Sequence, residues 1–117
     1  MSESTISIPD ILREAAAIFL GELETHSAYF EKSLVEIQDH NSLSAYARNF
    51  AEKFHVIKGG AGFLKLDRLR NAAAHGETLL KSFSPESDTD TALKQLKELV
   101  QILQEEALSL KLELAAD

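Results

Sequence analysis

The 117-residue sequence contains no cysteine, which excludes a disulfide framework and a zinc–thiolate centre and fits a reducing compartment. No apolar run approaches the roughly 20 residues that cross a bilayer. The N-terminus lacks the basic-then-apolar order of a secretory signal. A cytoplasmic location without membrane contact is therefore expected. Basic residues are scarce: 12 Lys and Arg stand against 19 Asp and Glu, a formal net charge of −7. That balance argues against nucleic-acid binding, which needs a basic surface to displace counterions from phosphates, and it is compatible with a protein partner. Proline occurs twice and glycine five times, nearly always where a helix should begin, end or be closely approached. No strand-like alternation runs long enough for a sheet, and no repeat or low-complexity tract is present.

What the sequence does carry is helical periodicity. Residues 9–38 place Leu12, Ala16, Phe19, Leu23, Phe30 and Leu34 at three- and four-residue steps, the stripe of an amphipathic helix. Ser7 is the expected N-cap, with Pro9 in the first turn, where its missing N–H costs nothing. Gly21 marks a place where this helix could bend or split. The turn-forming residues 39–42 introduce a second helix with Leu43, Phe50, Phe54, Ile57 and Ala61 inward, loosened by the glycines that follow. A third helix is predicted over 66–81. After the Pro-, Ser- and Asp-rich loop 84–90, a fourth begins at a cap supplied by Asp88 or Asp90 and reaches about 113. One domain is expected, with its core at about 9–114. The predicted fold is all-α: an antiparallel up-and-down four-helix bundle.

The chemistry concentrates in His55-Val56-Ile57-Lys58-Gly59-Gly60-Ala61-Gly62. His55 follows the core position Phe54, so it stands about 100° away from the buried stripe. Arg48, Glu52, Lys58, Gly59 and Gly62 share its face. A solvent-facing imidazole is a competent nucleophile near neutral pH. Lys58 supplies a cation one turn away, and Gly59 leaves bare backbone beside the ring. Three glycines in four positions cost a helix about 1 kcal/mol each relative to alanine. Two explanations stand side by side: a reactive face that another protein must reach, or a small-residue helix crossing without chemistry.

That run resembles the signature of histidine-containing phosphotransfer (HPt) domains of bacterial phosphorelays, especially the form found in chemotaxis-type histidine kinases. The resemblance continues through Leu66, Leu69 and Ala73 to Glu77. It implies that His55, through Nε2, accepts a phosphoryl group from a receiver-domain aspartate and passes it to another receiver. It further implies that Lys58 offsets phosphate charge, that Glu77 orients the imidazole, and that Glu52, Gly59 and Gly62 face the partner. On its own pattern Glu77 reads equally as a solvated helix residue. Exposed apolar groups beside His55 are expected to form the docking patch. Lys65 departs from the family, which often has glycine there.

The partners implied are response-regulator receivers or a sensor histidine kinase, with the chain itself a monomer. No cofactor is expected in the chain; Mg²⁺ would belong to the receiver. The phosphate loop GxxxxGK[ST] is absent, and the glycine run lacks the strand-then-helix setting of dinucleotide binding. A phosphocarrier, rather than an enzyme with its own ATP site, is the expectation. The alternatives are a phosphoacceptor domain served directly by a chemotaxis-type kinase and a helical scaffold that is never phosphorylated. A metal-binding bundle built on His75 and Glu77 is disfavoured, because residues two apart do not share a helix face. No metal site is expected.

Overall fold

Three phenylalanines set the interior. Phe30, Phe50 and Phe54 are fully buried, with Phe30 stacked on Phe54 at 4.5 Å between ring centroids and edge-on to Phe50 at 4.9 Å. They lock together the first two helices of a computed structural model, which describes residues 6–116. A 3-10 turn, Asp10–Leu12, leads into α1 (Arg13–Glu36); α2 (His40–Phe63), α3 (Asp67–Lys81) and α4 (Thr89–Ala115) follow. No strand occurs among the described residues. Each helix packs on the next and α4 closes back on α1, which gives the four-helix up-and-down bundle. No helix among the described residues is long and apolar enough to cross a membrane.

Local signals account for most of the boundaries. Asp39 and Ser42 form a reciprocal capping box at the start of α2: Asp39 Oδ1 accepts from the Ser42 N–H at 2.9 Å, and Ser42 Oγ accepts from the Asp39 N–H at 3.1 Å. Asp88, rather than Asp90, caps α4 through the N–H groups of Asp90 and Thr91.

The expected Ser7 cap is not formed. Pro9 precedes the 3-10 turn and no side chain caps it, because the preceding segment is occupied elsewhere. Ile6 and Ile8 are buried in the core, which therefore begins earlier than position 9. The Ile8 N–H donates to Glu113 at 3.2 Å, and Arg13 donates to the carbonyls of Glu113 and Leu114 at 3.0 and 2.9 Å. The Glu113 carbonyl also accepts from the C-cap Ala116 N–H at 3.3 Å, and the Arg13 cation adds a favourable partner at the helix C-terminus. Nor does α1 split at Gly21. That glycine is exposed, and its cost is only the propensity penalty.

The glycine run does not loosen α2, which stays helical through Phe63. Gly60 is a packing glycine: a Cβ there would run into the ring of buried Phe19 on α1. Gly76 does the same for α3, where a Cβ would come within 2.6 Å of Phe54. Gly59 has open space above it. Gly59→Ala should therefore raise stability by about 1 kcal/mol through helix propensity. Gly60→Ala should lower it, the clash costing about 1–3 kcal/mol against that same gain. Paired urea titrations check both signs.

The end of α2 explains Lys65. Its φ is 60°, the left-handed conformation that terminates helices. The Leu66 N–H reaches the Ala61 carbonyl at 2.8 Å and the Lys65 N–H reaches Gly62 at 3.2 Å, the paired bonds of a Schellman motif. Lysine holds this backbone state at a cost of about 1–2 kcal/mol. Its effect is local strain, since α3 still begins at Asp67. Lys65→Gly should stabilise the fold by about 0.5–1 kcal/mol net of unfolded-chain entropy, visible as a Tm rise of about 2–4 °C.

Candidate functional site around His55

Phe54 anchors the site. Its burial fixes the rotation of α2, and the next residue then emerges at the edge of the α2–α3 contact. The His55 side chain is 65% exposed. Gly76, by admitting the Phe54 ring, brings α3 close enough for Glu77 to reach across. Glu77 Oε2 lies 2.9 Å from His55 Nδ1.

Glu77 is the centre of the site's electrostatics. Its side chain is only 6% exposed, yet it holds two ammonium groups besides the imidazole. Lys58 Nζ lies 2.6 Å from Oε1 and Lys81 Nζ 2.8 Å from Oε2. Hydrogen bonds from Lys58, then Lys81, with a smaller contribution from His55, outweigh the opposing effect of burial and hold the carboxyl at about 2 against an ordinary 4.5. The folded state thus binds this proton more weakly than the unfolded chain does. The cluster contributes its full stability above about pH 4.5 and loses it as pH falls toward about 2.

An ionised carboxylate only accepts hydrogen bonds. Nδ1 of His55 must therefore carry the hydrogen, which in the neutral ring leaves the lone pair on Nε2. Among the described residues Nε2 has no hydrogen-bond partner. The arrangement is a nucleophilic nitrogen with its tautomer fixed from behind and two cations alongside. Of the two readings of Glu77, the solvated helix residue is not what is found.

The other expected residues divide. Lys58 joins the cluster through Glu77. Gly59 and Gly62 are exposed; a Cβ on Gly62 would make only ordinary contact with Arg70, at 3.5 Å. Glu52 is exposed and sits 3.7 Å from Arg48 one turn away, without a bond to His55. A groove of about 750 Å³ between α2 and α3 adjoins the ring. Ala47, Ala51 and Leu80 line it together with Arg48, Glu52 and Lys81. Val56, half exposed, supplies an apolar group directly beside His55.

Lys81 was not singled out from the sequence, although Glu77 and Lys81 have the four-residue spacing of a helical ion pair. The remaining histidines lie apart. Half-buried His40 stacks on Phe83 and bonds the Ser84 carbonyl at 3.0 Å. His26 is half-buried on α1, where burial and then Lys53 lower its pKa. His75 is exposed whereas Glu77 is buried, so the two do not share a face. No protein-family model, curated protein or solved structure matches the chain.

Proposed function

We propose that this protein is a histidine phosphotransfer protein of a two-component phosphorelay, with His55 as its phosphoacceptor. The observation that carries the proposal is the 2.9 Å contact between His55 Nδ1 and buried Glu77, which leaves the exposed ring's Nε2 free to act as nucleophile.

In the forward step the Nε2 lone pair attacks the phosphorus of an aspartyl phosphate on a receiver domain. A P–N bond forms and the P–O bond to the aspartate breaks, its electron pair returning to the carboxylate of the receiver. The ring becomes cationic with its proton still on Nδ1, where Glu77 balances the charge. Transfer to a second receiver is the reverse of these events. Phosphoryl transfer chiefly requires positioning and neutralisation of charge, and Lys58 and Lys81 are the cations at hand. Gly59 offers no side chain to obstruct the partner, and Val56 offers apolar contact. The chain is then a carrier without an ATP site of its own, working in the cytoplasm as a monomer.

The test is to incubate the chain with receiver domains pre-phosphorylated by radiolabelled acetyl phosphate and to follow the label. Acid-labile, alkali-stable label on the chain is expected. Failure of every receiver to deliver it would overturn the relay reading and leave the kinase-served phosphoacceptor, separated from the scaffold by incubation with a histidine kinase and ATP.

A further inference from the structure

The charge on this molecule is distributed unevenly along the chain. Residues 40–81, which include α2 and α3, carry seven Lys and Arg against three Asp and Glu; the rest of the chain carries five against sixteen. A protein of net charge −7 therefore has a 42-residue segment of net +4, and that segment bears His55.

Two of these cations turn away from His55: Lys53 lies over the Tyr29 ring of α1, and Arg68 pairs with Glu105 and Glu106 of α4. Arg48 lies two turns before His55 with its side chain 93% exposed, held only by a 3.7 Å contact to Glu52. Lys81 stands across the groove from it. Beyond His55, Arg70 passes beside Gly62 and meets Asp67 only at 4.0 Å. Lys65, at the end of α2, is exposed but lines a separate depression with Asp67, Arg68 and Glu106. The groove between Arg48 and Lys81 is floored by alanine and leucine, a shape suited to an inserted helix or loop.

We propose that the α2–α3 face is the docking surface for an acidic face of the receiver partner, and that charge orients the encounter. This rests on the phosphotransfer reading and extends it to the side of the molecule on which the partner sits. An acidic partner is repelled by α1, α4 and their loops and attracted only by the face that presents His55. Steering of this kind acts mainly on association rate and weakens with salt. The exposed Ile18 on α1, which lines a shallower depression with Val56, is the competing location. It is flanked by Glu14 and Glu22 on the same helix, charges of the wrong sign for this partner.

The experiment times phosphotransfer from receiver domains phosphorylated with acetyl phosphate, using the full chain and the variants Arg48→Glu, Arg70→Glu, Ile18→Ser and Glu98→Lys. The second-order rate for the unaltered chain should fall about tenfold between roughly 25 and 300 mM NaCl. At low salt Arg48→Glu and Arg70→Glu should each slow it by about three- to tenfold, with the difference closing at high salt. Ile18→Ser and Glu98→Lys should stay within about twofold. Transfer that ignores salt and both arginine reversals, or a loss confined to Ile18→Ser, overturns the docking assignment while phosphotransfer stands. If no receiver labels the chain at any salt, the phosphotransfer reading itself fails and this assignment with it. All four positions are exposed, and circular dichroism confirms that each variant is folded.

Discussion

His55→Gln should leave the bundle folded and reduce phosphoryl acceptance to background, a loss on the order of a thousandfold or more because no other group can replace the nucleophile. The ring is mostly exposed and, among the described residues, makes one hydrogen bond, to Glu77. Glutamine is a good helix former, and its amide N–H₂ can still donate toward that carboxylate. The expected stability change is within about 1 kcal/mol, the scale of one hydrogen bond. Thermal melting and label incorporation, measured on the same preparation, separate the two outcomes. A variant that kept its label would place the phosphate elsewhere. One that unfolded would make His55 a structural residue.

Glu77→Ala should slow transfer about ten- to a hundredfold while His55 remains in place, by analogy with the loss of a carboxylate that orients a metal-binding histidine. Without the carboxylate nothing holds the hydrogen on Nδ1, so part of the ring population presents N–H instead of a lone pair at Nε2. Glu77→Gln should recover part of the rate, since its amide oxygen can still accept from Nδ1. A second consequence concerns acid. The native Glu77 carboxyl is held at about 2 rather than 4.5, so it makes the native protein progressively less stable as pH falls through that window. In Glu77→Ala this part of the pH dependence should disappear, leaving a flatter curve of urea stability between about pH 4.5 and 2. An unchanged acid limb would mean that the cluster does not hold the carboxyl as described.

The helix layout was legible because its signals are local. Periodicity gave the buried stripes, the turn cluster 39–42 marked the start of α2, and Asp88 or Asp90 marked that of α4, where Asp88 is the cap. Ser7 misled because its competitors are remote: Ile6 and Ile8 are drawn into the core, and Glu113 takes the Ile8 N–H. The glycines misled in a different way. Propensity alone reads Gly59, Gly60 and Gly62 as one weakness, whereas packing on Phe19 assigns Gly60 to the α1–α2 contact and leaves Gly59 open. The helix-crossing explanation of the run thus holds for Gly60 and does not account for Gly59.

At the site, the position of His55 followed from its step beyond Phe54. The burial of Glu77 did not, because it depends on how closely Gly76 lets α3 approach α2. Lys81 was readable only as an ordinary helical pair. Its convergence with Lys58 on one carboxylate joins two helices, and no pattern within either helix reports that.

The most direct test reads the ring nitrogens of His55 by NMR in isotopically labelled protein, before and after phosphorylation by a phosphorylated receiver. The unphosphorylated neutral ring should show its hydrogen on Nδ1, and the modified ring should carry phosphorus on Nε2 with that hydrogen retained. Phosphate on Nδ1, on His26, His40 or His75, or on no histidine at all would contradict the account.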